Sequence, residues 1–486
     1  MRQFSVIIAM VLWSGSLFTI GTCAITAQIP PTNPTLQVPG YELTLFHQDL
    51  MATQPTGLAT DAQGNVYVCY MGGEIRILQD TTGDRQADQE IVFWNGNFIN
   101  PPLVGGLWHR GKLYVAHAGS ISMIEDTDGD LVGDEFTNLV TGLPVAMHQN
   151  NQLFTDRQWL YFGVGSLTDH SADSDPRAST LMRVGFDGSM PTIYASGLRN
   201  IYDGAFHPES GEIIAGENGP NYVPGNPHPA DEIVRITQGD DYGHPSNWGF
   251  PPPGSGFTPP ITELAAHASP TGLVFNPNSA ISGYRNDLFM CAFGNYLIGA
   301  LIRVHNIYGT ITGSLAMEWE IFVSDLANPI DIIALPGGDL LLANFTDKTL
   351  YIIHQEHTGV ITVEGQPSIG MTCPLTFQSA THPGHTIFAL ASHDIGFPIP
   401  LGGNIEFYLE LNSPLVALST TPGNGILNLP FPGLLDATGT ATGSLAIPND
   451  PVLIDMPLQI QFVVLDAAGG FADASPPQAV KILPPF

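Results

Sequence analysis

Short apolar runs bounded by Gly-, Asp- and Pro-containing turns recur along this chain, the pattern of β-strands rather than of helices. Six times a small-residue or apolar stretch leads through a Gly- or Asp-containing turn into an apolar β run. The copies are Gly57-Leu58 to Val66-Tyr67-Val68, Gly106-Leu107 to Leu113-Tyr114-Val115, and His148 to Leu160-Tyr161-Phe162. They continue with Gly204-Ala205 to Ile213-Ile214, Gly272-Leu273 to Leu288-Phe289-Met290, and Ile332-Ile333 to Leu340-Leu341-Leu342. Successive runs start about 47 to 75 residues apart, roughly the length of a four-stranded blade. The repeat predicts an all-β fold, a six-bladed β-propeller over residues 41–356. A propeller carries its chemistry in the loops at one mouth of its channel.

Two flanking patterns complete the organisation. Tyr41 to Phe46 alternates like a strand and is expected to join the last blade, since an open ring would leave two exposed edges. From residue 357 to 486 runs such as Ile405 to Leu411 and Leu458 to Val464 alternate at period two between Pro, Gly, Asn and Asp turns. They predict a second, β-sandwich-like domain without evident chemistry. Residues 1–27 read as a signal peptide: Arg2, an apolar stretch from Phe4 to Ile20, then small residues. Residues 28–40 form a Pro-rich lead-in. The reading is an exported chain, secreted or periplasmic, with no membrane span once mature.

Composition narrows the partners. Fourteen basic against 45 acidic residues give a net charge of −31. Such a surface repels nucleic acid and anionic membranes, so neither is expected to bind. Cys69, Cys291 and Cys373 are odd in number and widely spaced, which fits buried thiols rather than a disulfide framework.

Two groups of residues carry candidate chemistry. The turns Asp80-Thr81-Thr82-Gly83-Asp84 and Asp126-Thr127-Asp128-Gly129-Asp130, the latter continuing to Asp134, put oxygen ligands at alternate positions, which suits Ca²⁺. Neither is an EF-hand, and a metal at Asp126, Asp128, Asp130 and Asp134 would be structural. The second group is His148-Gln149, then Gly197-Leu198-Arg199-Asn200, then Glu217-Asn218-Gly219-Pro220-Asn221, then Asp231-Glu232-Ile233, then Asp241-Tyr242-Gly243-His244-Pro245. Taken singly, each is ordinary turn chemistry; the order is what stands out.

That order resembles the glucose/sorbosone dehydrogenase family, soluble pyrroloquinoline quinone (PQQ)-dependent aldose dehydrogenases built on a six-bladed propeller. The resemblance covers about residues 57–354 and implies a sugar substrate, an electron acceptor the sequence does not name, PQQ and Ca²⁺. It implies His148 as general base, Arg199 and Asn200 on the quinone oxygens, and the Gly219 and Pro220 carbonyls on Ca²⁺. Gln149, Asn218 and Asp231 would line the cofactor site. The family also meets the three PQQ carboxylates with a Lys on blade five and an Arg pair before blade six. Here those stretches read Ala292-Phe293-Gly294-Asn295 and Asn328-Pro329-Ile330-Asp331, without a cation. Two other functions therefore stand beside the dehydrogenase: a non-catalytic propeller binding carbohydrate or protein, and a calcium-dependent lactonase-like hydrolase.

Overall fold

The computed structural model describes residues 33–482 except 39–40, 50, 209, 227, 277–286, 295–298, 306–317, 337, 356–358, 365–366, 380, 393–394, 403–404, 410–426, 431, 451–456, 467–469 and 476–477. The signal peptide, most of the lead-in, Asn295 and Leu411 therefore lie outside the described residues. Among those described there is no helix.

Six antiparallel sheets carry the six copies of the phrase. Blade one is Pro55–Thr60, Val66–Tyr70, Glu74–Gln79 and Gln89–Asn95; blade two is Leu103–His109, Lys112–His117, Ser120–Glu125 and Glu135–Val140. Blade three is Asn150–Thr155, Trp159–Val164, Thr180–Gly185 and Thr192–Ser196; blade four is Ile201–Phe206, Ile213–Glu217, Glu232–Ile236 and Thr262–Glu263. Blade five is Pro270–Phe275, Leu288–Ala292, Ala300–His305 and Glu318–Ser324; blade six is Pro329–Ala334, Leu340–Asn344, Thr349–Gln355 and Tyr41–Gln48. The first strand of each blade packs beside the first strand of the next, and the sixth returns to the first, so the ring is closed.

Closure uses the N-terminal strand, as its alternation suggested: Tyr41 pairs with Gln355 and Gln48 with Thr349, ending the edge problem of an open ring. The lead-in also contributes something its Pro-rich sequence hid. Thr35–Leu36 pairs with Ser324 and Val323, adding a fifth strand to blade five.

Each inner strand breaks register at the same place, between Pro55 and Gly57, Leu103 and Gly105, Asn150 and Leu153, Ile201 and Gly204, Pro270 and Leu273, and Pro329 and Asp331. A bulge there bends the strand at the channel. The residues at the bend are Gly57, Gly105, Gln152, Asp203, Gly272 and Asp331. The glycines of blades one, two and five leave room beside the longer side chains of blades three, four and six. A Cβ on Gly105 would lie 1.5 Å from Gln152 Oε1, and one on Gly272 would lie 2.4 Å from Asp331 Oδ1. The acids are tied to neighbours: Leu58 N donates to Asp331 Oδ2 at 2.6 Å, Gln152 Nε2 to the same oxygen at 2.6 Å, and Leu273 N to Asp203 Oδ2 at 3.0 Å.

After the propeller come two facing sheets. One is Gly359–Val363, Thr372–Ser379, Thr440–Ala446 and Leu427–Asn428; the other is Gly433–Leu434, Thr386–Ser392, Pro457–Leu465, Phe471–Ala474 and Gln478–Lys481. Leu375 and Phe377 of the first share one buried core with Ile387, Ile460 and Phe462 of the second. That is a β-sandwich.

The channel packing is testable. A Cβ on Gly57 would sit 2.5 Å from the Gly105 Cα, a backbone atom with no rotamer to escape into. Gly57→Ala is expected to lower stability by about 1–3 kcal/mol, read from denaturant unfolding. Unchanged stability would show that the inner strands can slide apart.

Candidate active site at the blade three to blade five mouth

Inner and second strands of each blade are antiparallel, so the loop entering the inner strand and the loop leaving the second strand lie at the same end. Asn150 pairs with Val164, Ile201 with Glu217 and Pro270 with Ala292. His148 and Gln149, Arg199 and Asn200, and His267 enter inner strands. Ser166, Asn218 to Pro220 and Gly294 leave second strands. All therefore gather at one mouth of the channel.

Ser166, fully buried, is the junction. Its N–H donates to the Arg199 carbonyl at 2.7 Å, joining blades three and four. Its carbonyl lies 2.9 Å from His148 Nδ1. A carbonyl can only accept, so Nδ1 carries the hydrogen and Nε2 keeps its lone pair. Burial, helped by the nearby Arg199 charge, pulls the His148 pKa down to about 4. The imidazole is thus neutral and oriented, with a bare nitrogen. Space around it is scarce: a Cβ on Gly165 would come within 2.5 Å of both His148 Cβ and Asn200 Oδ1.

The same serine holds a second imidazole. Ser166 Oγ donates to Asp173 Oδ1 at 2.9 Å, which spends its only hydrogen, so it accepts from His244 Nε2 at 3.2 Å. His244 is likewise pulled down to about 4, by burial and then by Arg199. Its Nδ1 is buried and without a partner among the described residues.

Arg199 is 2% exposed. Its Nε donates to the Asp169 carbonyl at 2.8 Å, Nη1 to the Asn218 carbonyl at 3.0 Å and Nη2 to Asp169 Oδ1 at 2.7 Å. Asp169 also accepts from Asn221 N at 2.9 Å. Three of the five guanidinium N–H groups are used, leaving two. Asn200 is fixed by Asn151, whose Nδ2 donates to its Oδ1 at 2.8 Å, and Asn218 Nδ2 donates to the Pro270 carbonyl at 2.8 Å. Asp231 Oδ1 accepts from Gly219 N at 2.8 Å and Oδ2 from Ser269 N at 2.7 Å, stapling the blade four loop to the blade five entry. Among the described residues no hydrogen bond reaches the Gly219 or Pro220 carbonyls, so both oxygens are available to a cation. Gly219 allows no side chain, since a Cβ would meet the Ala230 oxygen at 2.4 Å.

Of the residues singled out in the sequence, His148, Arg199, Asn200, Asn218, Gly219, Pro220 and Asp231 thus converge on this mouth. Gln149 lies there too, its carbonyl accepting from Gly165 N at 3.0 Å. The acidic turn is elsewhere, in the hairpin between the third and fourth strands of blade two. Asp126, Asp128 and Asp130 bring carboxylate oxygens within 4.8 Å of one another. Asp134 does not join that group; its Oδ2 takes the Thr127 N–H at 2.8 Å and hydroxyl at 2.7 Å. The motifs do not include Ser166, Asp169 or Asp173, and they carry Glu217 and His244 without assigning either a role. The Asp-, Ser- and His-rich run from 166 to 175 was the available signal.

Under Arg199 lies a row of carboxyls. Glu217 pairs across the sheet with Glu232, and Glu232 with Glu263. Glu217 Oε1 accepts the Arg199 N–H at 2.6 Å, and Glu232 Oε1 accepts from Gly249 N. Burial raises Glu217 well above the usual range and Glu232 to about 7; the channel acid Asp331 is also raised to about 7 by burial. These acids hold protons in the folded chain that the unfolded chain releases near pH 4. Their stabilisation is complete below that pH and is lost as pH rises through about 7. Between pH 8.5 and 7.5, above the range in which unfolded histidines take up protons, the unfolding midpoint is expected to rise as pH falls. Glu232→Gln, which keeps the oxygen for Gly249, is expected to flatten that slope. A midpoint that falls across this window would contradict the assignment.

Comparison with known proteins places this geometry. Residues 154–362 match the family model described as Glucose / Sorbosone dehydrogenase, and residues 34–202 match one described as a domain of unknown function, DUF7133. An uncharacterized protein of Borreliella burgdorferi is 23% identical over 380 residues, 70% of this chain and 96% of that one. Among solved structures, a Trichoderma reesei carbohydrate-active enzyme of family AA12 superposes with a TM-score of 0.56 at 17% identity, over 68% of this chain and 99% of that one. The PQQ-bound aldose sugar dehydrogenase of Streptomyces coelicolor gives 0.53 at 19% identity, over 65% of this chain and 98% of that one. At such identities the superpositions speak to the fold. The segment 154–362, which holds Ser166, Arg199, Asp231, blade four and most of blades five and six, is thus similar to the glucose/sorbosone dehydrogenase family.

Proposed function

We propose that this chain is an exported PQQ- and Ca²⁺-dependent sugar dehydrogenase of the aldose type. The observation that carries the reading is His148: neutral, held through Nδ1 by the Ser166 carbonyl, with Nε2 bare at the mouth beside Arg199. A base of this kind takes the proton from a sugar hydroxyl as the carbon beside it gives up hydride. The donor set suits the group. Two free N–H bonds of Arg199 can meet quinone oxygens, and the Gly219 and Pro220 carbonyls are oxygen ligands of the sort Ca²⁺ takes. PQQ, when bound, supplies the hydride acceptor, and Ca²⁺ polarises its carbonyl.

The chain's own residues perform the rest. Ser166 fixes the tautomer of His148 and, through Arg199, the distance between blades three and four. Asp169 turns the guanidinium so that its remaining N–H groups face away from the Asp169 loop. Asp231 holds the Gly219 turn against blade five. The lactonase-like alternative needs channel oxygens free to hold a metal. Those of Asp203 and Asp331 are already engaged by the backbone of Leu273, Leu58 and Ile332.

The test is reconstitution of purified protein with PQQ and Ca²⁺, assayed on an aldose panel with an artificial electron acceptor. Turnover is expected, and His148→Ala is expected to lower kcat/KM by about 100-fold or more. Absence of PQQ-dependent turnover, with no quinone absorbance retained through gel filtration, would favour a propeller that binds carbohydrate or protein without catalysis.

A further inference from the structure

PQQ carries three carboxylates, and among the described residues the mouth offers them one guanidinium, already shared with Asp169. In the blade five stretch where the family carries a lysine, Gly294 has room for nothing: a Cβ there would lie 1.8 Å from the His267 carbonyl oxygen. The residue that occupies this corner is His267. Its backbone takes the left-handed conformation, φ 57°, which a side chain adopts only when its surroundings impose it. Two residues on, Ser269 is fixed by its N–H bond to Asp231. The His267 ring meets that of exposed His228 edge to face, 5.9 Å between centroids at 89°.

The charged and titratable groups facing His267 come from three elements: His228 from the blade four loop, Arg199 from the blade four entry and Asp169 from the blade three loop. Burial first, then His228 and Arg199, depress its proton affinity, while Asp169 raises it. The ring is therefore uncharged near neutrality, and an anion placed between it and Arg199 reverses the balance.

We infer that His228 and His267, with Arg199, form an anion subsite for the carboxylates of a polycarboxylate ligand. The imidazoles gain protons as the anion binds and stand in for the absent lysine and arginine pair. This rests on the PQQ reading of the site. It differs from a lysine subsite in one respect that can be measured. A lysine is charged before the ligand arrives, so its binding takes up no proton; an imidazole depressed by its surroundings, as that of His267 is, is charged by the ligand, so binding is linked to pH.

The experiment is calorimetric titration of PQQ into the Ca²⁺-saturated full chain, at several pH values and in buffers of different ionisation enthalpy. The expected result is net proton uptake of up to about one per PQQ near pH 7, with affinity rising up to about tenfold per pH unit from pH 8 to 6. His228→Gln with His267→Gln is expected to abolish both uptake and slope, with folding checked by the unfolding midpoint. Should the double variant fail to fold, His228→Gln alone, at an exposed side chain, is expected to remove part of the uptake. PQQ binding without proton uptake, or uptake unchanged in the variants, would overturn the subsite and leave the PQQ reading standing. No PQQ binding at any pH would overturn both.

Discussion

The site depends on Ser166. Every polar group of this one buried residue is engaged, and each engagement sets a different part of the mouth. The amide positions Arg199, the carbonyl orients His148, and the hydroxyl links Asp173 to His244. Remove the carbonyl contact and His148 could adopt either tautomer; remove the amide contact and one of the hydrogen bonds joining blades three and four is lost, with those of Asn151 remaining. A serine, with one donor and room for incoming donors, can serve an acid and an imidazole at once.

A chain with a charge of −31 must also solve a problem at this mouth. It buries Glu217, Glu232 and Asp231 around a single buried cation, Arg199. Coulombic attraction to one guanidinium cannot offset the desolvation of three ionised carboxylates, so Glu217 and Glu232 hold their protons to higher pH than free carboxyls do. Asp231 is raised to about 6 by burial even though two backbone N–H groups favour its charged form. Beside the Arg199–Asp169 ion pair, the mouth pushes its histidines down and the carboxyls of Glu217, Glu232 and Asp231 up. A site poised in this way has little fixed charge of its own and responds strongly to the charge of what enters it.

Much of the fold was legible because a blade's second strand is a buried run between turn residues, and that phrase survives in all six copies. Ring closure was legible from Tyr41 to Phe46, an alternating strand with no partner nearby in sequence. Thr35–Leu36 was not, since two residues among prolines carry no period. At the site, His148 and Arg199 could be read from motif order. Ser166 could not: Gly-Val-Gly-Ser is an ordinary strand exit, and its role comes from partners 18, 33 and 78 residues away. The acidic turn shows the converse. Its four aspartates read as one ligand set, yet Asp134 is spent on Thr127 and only three come together.

The central claim is that His148 stands neutral with its hydrogen on Nδ1 and its lone pair on Nε2. Ring ¹⁵N chemical shifts of His148, assigned by loss of its signals in His148→Gln and followed from pH 8 to 5, test this directly. The account requires the Nδ1–H tautomer to persist unprotonated across that range, because its pKa lies near 4. A midpoint near the ordinary 6.5, or a hydrogen on Nε2, would contradict it.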